Sequence, residues 1–348
     1  MSSKGKEILE QYRTQKSLFE QIEEIAVEKI SGAVKSSSVP VYGINHRIKA
    51  EKSLAGKLER KGDKYTSLSD ITDILGIRVI CYFSDDVDTV ADSVEKLFDV
   101  DWKESIDKRK ILDINSFGYL SVHYICSLRD DGSIPKELLN KRFEVQMCSL
   151  MQHVWAVMDH DLGYKTKFGV PRAVSRDFSR LAGLLEIADE HFMRIRDTVA
   201  NYTEEVHTKI MNDDANDIRI DSVSLGEYMR YSRNMRSFLE QIAKLCNAEI
   251  YDDSAESYLE QFAWLKKETL GDLQKMLEED APLALQMAEE TLGQMDLDIF
   301  SSTAALRFLC RAELVLKGYS REQAKEFFYI STKDASRAER YANEVILK

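Results

Sequence analysis

Two carboxylates, Asp73 and Glu144, and a run of basic side chains are the residues best able to do chemistry in this chain. Lys49, Ser53, Gly56, Lys57 and Arg60 fall within about 100° of one another on a helix drawn from Asn45 to Lys61, with Leu54 and Leu58 roughly opposite. Such a stripe is either a solvated face or a seat for an anion. The small Ser53 and Gly56 leave room between the cations, which suits a polyphosphate. A period of two gathers a second polar set on one sheet face: Arg78, Tyr119, Ser121, His123, Glu144 and Gln146. That face is either solvated or a cleft with an anion-binding Arg, a stackable Tyr and a carboxylate. Asp73 alone, three residues before Gly76, reads as a cap or turn residue. Paired with Glu144 it can form a two-carboxylate Mg²⁺ site, since magnesium takes a few carboxylates together with phosphate oxygens and water. Lysine, arginine, magnesium and carboxylates together are the requirements of phosphoryl-type transfer.

Other candidates are weaker. His153, Trp155, His160 and Trp264 sit in helical patterns and read as packing residues, and His160-Asp161 has no further ligand to complete a metal site. No GxxxxGK[ST] phosphate loop, GxGxxG or GxSxG elbow occurs.

The elements that must hold these residues follow from periodicity. Ile8, Leu9, Tyr12, Phe19, Ile22, Ala26 and Ile30 recur at helical spacing, predicting one helix over residues 2–38. A break at Ser36 to Pro40 precedes the basic helix. Ser69 and Asp70 are expected to cap a short helix ending near Gly76. Strands are expected over 76–83, 119–128 and 142–148, with an amphipathic helix from Val87 to Phe98 and a polar loop over 107–117. Beyond Val174 the pattern is helical throughout, with helices near 224–246, 255–279, 302–317, 321–329 and 334–347. The expected fold is α+β, a mixed sheet flanked by helices followed by an all-helical C-terminal region. The expected division is an N-terminal helix over 1–39, a sheet domain over 40–200 and a helical domain over 201–348.

Composition narrows the classes. In 348 residues, 44% hydrophobic and 31% charged, there is ample material for a core, and only four prolines interrupt it. No apolar run reaches the roughly 18 residues of a membrane span, and the first residues lack a signal core. Five scattered cysteines without a CxxC point to reduced thiols in a cytoplasm. Residues 201–348 hold 18 Lys and Arg against 28 Asp and Glu, so most of the net charge of −12 lies there. That balance argues against a nucleic-acid partner. Apolar stripes on the first helix and on the helix over 175–200 point to self-association, a homo-oligomer.

Five ordered motifs carry a resemblance. They are Arg47-x-Lys49-x₃-Ser53-x₃-Lys57-x₃-Lys61, Asp70-Ile-Thr-Asp73-Ile-Leu-Gly76-Ile-Arg78-Val, Gly118-Tyr119-x-Ser121-x-His123, Glu144-Val-Gln146 and Trp155-x₄-His160-x₃-Tyr164-Lys165. Together they resemble the synthetase domains of RelA/SpoT-type alarmone synthetases, over about residues 40–200. The resemblance implies a nucleotidyltransferase-like sheet and a GTP diphosphokinase that moves pyrophosphate from ATP to the 3′-hydroxyl of GDP or GTP, making (p)ppGpp. It implies adenine between Arg47 and Arg78, and ATP phosphates on Lys49, Ser53 and Lys57. It places Mg²⁺ on Asp73 and Glu144, with Glu144 activating the acceptor hydroxyl, guanine on Tyr119, and an acceptor site lined by His123 and Gln146. Two departures stand out: family members commonly carry Arg where this chain has Leu120, and Arg-Thr where it has Cys148-Ser149. The altered acceptor motifs leave one alternative, a toxin-like enzyme that pyrophosphorylates the 3′ end of tRNA, and the helical half as an interaction module leaves another, a non-enzymatic nucleotide-sensing or partner-binding protein. No hydrolase domain with a His-Asp metal motif fits before residue 40.

Overall fold

The computed structural model describes residues 3–61, 64–111, 120–163 and 172–346. The chain divides into two compact units, Met1–Arg196 and Asp197–Lys348.

The first unit is built on a six-stranded mixed sheet. Its strands are β1 (Val41–Ile48), β2 (Leu75–Cys81), β3 (Phe98–Val100), β4 (Ile106–Asp107), β5 (Val122–Leu128) and β6 (Phe143–Ser149), in the order β1-β2-β6-β5-β3 with β4 also on β5. Only β2 and β6 run parallel; the other pairs are antiparallel. Helix α1 (Ser3–Ser37) buries Ile8, Tyr12, Phe19, Ile22, Ala26 and Ile30, the stripe its three-and-four spacing predicts. That stripe shares one core with α2 (Glu51–Lys61), α3 (Asp86–Leu97) and the apolar sheet face of Ile77, Val79, Phe143, Val145 and Met147. The remaining helices here are the single turn α4 (Lys108–Ile111), α5 (Leu150–Met158) and α6 (Arg172–Met211), within which the division between the units falls.

Three expectations near the N-terminus are corrected. Residues 45–48 belong to β1, not to a helix, and α2 begins only at Glu51. β1 pairs antiparallel with β2 from Val41 opposite Cys81 to Ile48 opposite Leu75, and this non-local ladder overrides the local helical pattern. As an edge strand it leaves Asn45, His46 and Arg47 exposed, so their polarity resembled a helix face. The short helix expected before Gly76 is one 3-10 turn, Leu68–Asp70, held by the Asp70 carboxylate, which accepts from the Thr66 and Ser67 amides at 2.6 and 3.0 Å. Gly76 lies inside β2. The loop expected over 107–117 contains the end of β4 and α4; residues 112–117 lie outside the described residues.

The second unit is helical except for a parallel pair of three-residue strands, β7 (Glu249–Tyr251) and β8 (Ile299–Ser301). Two expected helices are each interrupted. The first becomes α7 (Ser222–Tyr231) and α8 (Arg233–Leu245), with Ser232 between them accepting from the Met235 amide as the cap of α8. The second becomes α9 (Leu259–Trp264) and α10 (Leu270–Leu292), parted where Lys266 takes a positive φ of 58° and Thr269 caps α10. Helices α11 (Thr303–Leu316), α12 (Arg321–Thr332) and α13 (Ala335–Ile346) complete it around Phe262, Phe308 and Phe327.

This core contains a buried acid pair. Asp280 on α10 and Glu313 on α11 are both buried, and Lys267 Nζ reaches Glu313 Oε1 at 2.7 Å. Burial, then the Glu313 carboxyl, pushes Asp280 up to about 7, with Lys267 and Lys317 opposing. The folded chain therefore holds a proton that the unfolded chain releases near the ordinary value of 3.8. Stability from this group is full below about pH 4 and is lost as pH rises towards about 7. Asp280→Asn should remove that loss and stabilise the chain at pH 8 by on the order of 2 kcal/mol. Thermal melts at pH 5 and pH 8 check it: the same drop between the two pH values in variant and wild type would contradict the assignment.

Candidate active site

The sheet register brings the polar residues of four strands together. Arg47 lies opposite Gly76, Gly76 opposite Glu144, Arg78 opposite Gln146, and Gln146 opposite His123. Because side chains alternate, Arg78, Glu144, Gln146 and His123 share the face away from the main core. There they form one hydrogen-bonded chain. His123 Nε2 meets Ser121 Oγ at 2.7 Å and His123 Nδ1 meets Glu144 Oε1 at 2.8 Å. Gln146 Nε2 donates to Glu144 Oε2 at 2.9 Å, and Arg78 donates to Gln146 Oε1 from Nε and Nη2 at 3.1 and 2.7 Å.

The second carboxylate sits where the chain enters β2. Asp73 is gripped by Lys49 Nζ at 2.8 Å and Lys57 Nζ at 2.7 Å. Lys49 occupies the corner between β1 and α2, where its amide donates to the Ile74 carbonyl at 2.8 Å and its carbonyl accepts from the Tyr12 hydroxyl of α1 at 2.7 Å. A cavity of about 440 Å³ opens between these groups, lined by Arg47, Lys49, Asp73, Arg78, Glu144 and Gln146 among others.

Electrostatics keep both carboxylates ionised. Burial pushes Asp73 up, but the hydrogen bonds and charges of Lys49 and Lys57 outweigh it and hold the group below its ordinary value. Burial likewise raises Glu144, and the His123 bond, with Gln146, brings it below the usual carboxylate range. The Asp73 charge acts on Glu144 in the opposite sense, so the two acids feel each other across the cavity. Hard oxygen donors in such a setting fit a divalent cation that also binds phosphate.

Residues 46–168 match a family described as a region found in RelA/SpoT proteins. This stretch is a RelA/SpoT region. The chain is similar to the GTP pyrophosphokinase YwaC of Bacillus subtilis (strain 168), 27% identical over 167 residues, which cover 46% of this chain and 76% of the relative. It is also similar to the GTP pyrophosphokinase YjbM of the same organism, 28% identical over 162 residues, covering 46% and 74%. Among solved structures, the Bacillus subtilis small alarmone synthetase 1 bound to its product pppGpp aligns at 24% identity and a TM-score of 0.48, over 55% of this chain and 99% of that one. A GTP pyrophosphokinase family protein from Streptococcus pneumoniae aligns at 25% identity and a TM-score of 0.45, over 58% and 97%.

Within the RelA/SpoT region, most of the expected site residues converge, with two exceptions. Ser53 is exposed on α2, one turn before Lys57, and does not line the cavity. Tyr119 lies outside the described residues, as do Tyr164 and Lys165. His160 and Asp161, with Nδ1 and Oδ1 3.3 Å apart, also line the cavity, and among the described residues no group of three His, Cys, Asp or Glu side chains could hold a metal. At the two departures from the family pattern, the structure shows a backbone bond at one and packing and capping at the other. The Leu120 amide donates to Gln152 Oε1 at 2.9 Å, Cys148 is buried, and Ser149 caps α5 by accepting from the Gln152 amide at 3.2 Å.

Two further residues reach this site: Lys108, which the sequence does not single out, and His153, which reads there as a packing residue. Lys108 is half-buried, its amide donating to the Ser121 carbonyl; burial lowers its pKa, Glu144 raises it and Arg78 lowers it. His153 of α5 stands 3.3 Å from Arg78 Nη1, and burial followed by that cation lowers its pKa. β4 and α5 place them, and neither lies on a strand of the cleft. Among the described residues no helix is long and apolar enough to cross a membrane.

Proposed function

We propose that this chain is a pyrophosphokinase that transfers the pyrophosphate group of ATP to the 3′-hydroxyl of GDP or GTP, with its catalytic groups in residues 40–200 and a separate helical domain over 201–348. The observation that carries the reading is the convergence of two ionised carboxylates, Asp73 and Glu144, with Lys49 and Arg78 on one cavity and Lys57 gripping Asp73, in a region similar to GTP pyrophosphokinases.

Arg47 and Arg78 flank the place proposed for adenine, where guanidinium planes stack on a base. Lys49 and Lys57 are the fixed cations for the donor phosphates, and Ser53 is assigned with them from the motif. Tyr119, His123 and Gln146 are assigned to the acceptor. Mg²⁺ held by Asp73 and Glu144 would neutralise charge building on the phosphate oxygens. The acceptor 3′-oxygen bonds to the β-phosphorus, the bond from that phosphorus to the α,β-bridging oxygen breaks, and AMP leaves. The hydroxyl proton passes to Glu144. Because the Glu144 carboxylate can only accept, the His123 Nδ1 beside it is the donor, which holds the carboxylate in place for that proton.

The test is an assay of the purified chain with labelled ATP, Mg²⁺ and GDP, GTP or deacylated tRNA, with products separated by chromatography. A 3′-pyrophosphorylated guanosine nucleotide is expected. Labelled tRNA alone would replace this reading with the tRNA-modifying one, and no product with any acceptor would leave a non-catalytic nucleotide binder. Lys57→Met should raise the ATP KM by roughly tenfold, since a charge-assisted contact to phosphate is lost, and should leave the acceptor KM within about twofold. Equal effects on both substrates, read from steady-state kinetics, would remove Lys57 from the donor side.

A further inference from the structure

The second unit contains a cavity of about 300 Å³ between α9, α11, α12 and α13, well away in sequence from every residue assigned above. Its lining is cationic although the region around it is acidic. Arg307 and Arg311 stand one turn apart on α11, and among the described residues no carboxylate lines the cavity. Like charges at this spacing repel each other. The acid nearest in the structure's ion pairs, Glu344, lies 3.8 Å from Arg311 Nη2, too long for a hydrogen bond, and is shared with Arg340 at 3.9 Å. Arg311 is mostly buried, and its Nε is a fully buried donor with no hydrogen-bond partner. A mostly buried guanidinium with an unmet donor beside a second arginine is a site short of an acceptor.

The rest of the wall describes that acceptor's other half. Phe327, Phe328 and Tyr341 line the cavity beside the guanidinium, whose carbon lies 5.9 Å from the Phe328 ring centre and 5.7 Å from that of Tyr341. Tyr258 is also at the wall, and burial raises the pKa of its hydroxyl, which stays protonated. We propose that this cavity binds a small phosphomonoester carrying an aromatic ring, the phosphate between Arg307 and Arg311 and the ring against the Phe327, Phe328 and Tyr341 wall. A dianion matches two arginines better than a single carboxylate does, and guanidinium forks bind phosphate oxygens in pairs. The volume is at the lower end of small-molecule sites, which fits a ligand of mononucleotide size or less. The inference is independent of the reading of the RelA/SpoT region.

The probes are phenyl phosphate and inorganic phosphate, titrated calorimetrically into the full chain. Phenyl phosphate should bind several-fold more tightly than inorganic phosphate. Arg307→Gln and Arg311→Gln should each weaken it about tenfold, and the double variant should abolish it. Arg307 is exposed on α11, so Arg307→Gln keeps the test valid if the buried Arg311→Gln does not fold. Arg311→Lys keeps the charge but loses the planar fork, and should still bind measurably more weakly than wild type. Unchanged phenyl phosphate binding in both Arg307→Gln and the double variant would place the ligand on other cations and overturn the proposal. Absence of binding at millimolar concentration, or equal affinity for the two probes, would overturn it as well.

Discussion

Glu144→Gln should lower turnover at least a hundredfold while the chain stays folded. The substitution keeps the side-chain volume and removes a charge that burial alone would disfavour and that His123 and Gln146 hold ionised. Losing one preorganised electrostatic group of this kind costs about 10² to 10³ in rate. Asp73→Asn should have the same effect for a different local reason: Lys49 and Lys57 then face a neutral amide and lose the anion that sets their positions. In both variants kcat and kcat/KM should fall together, as for interactions made mainly in the transition state. Because both acids lie below their ordinary values, neither should introduce an acid limb into the rate profile between about pH 6 and 8. Near wild-type turnover in both variants would mean that the paired carboxylates are structural.

Phe143→Ala, one residue before Glu144, should do the reverse. Phe143 is fully buried on the opposite face of β6 and meets Phe98 edge-to-face with ring centres 5.2 Å apart. Truncating a buried Phe costs about 3–5 kcal/mol through lost transfer energy and the cavity left behind. For a unit of this size that lowers the melting temperature by roughly 10 °C. Turnover per folded molecule, measured well below the transition, should change little. A loss under about 1 kcal/mol by chemical denaturation would show that the sheet repacks freely around the gap. Set beside Glu144→Gln, this variant tests whether strand alternation separates stability from chemistry on β6.

That alternation was legible in the residues alone. Phe143, Val145 and Met147 against Glu144 and Gln146 define two faces of β6 whatever its neighbours are, because a strand turns each successive side chain to the opposite side. The same holds for the stripe on α1 and for α3, where the helical period is strong enough to survive without context. The motifs named Asp73, Arg78, Glu144 and Gln146 as one set, and the sheet register brings Arg78 opposite Gln146. Long-range pairing decided the remainder. β1 has weak alternation and a polar middle, and becomes a strand only because β2 offers a ladder to it. Lys49 therefore reaches Asp73 from a strand–helix corner, not from a helix face, while Ser53, on the expected face, is exposed and does not line the cavity. Lys108 carries no periodic signal and His153 reads only as a packing residue of a helix, and only the pairing of β4 with β5 and the seating of α5 on the sheet bring them to the site. In the second unit the helices were readable from their apolar stripes, but Arg307 and Arg311 look like an ordinary basic pair along α11. Their shared cavity is made by α9, α12 and α13, whose aromatic side chains are remote in sequence and adjacent only once the core has packed.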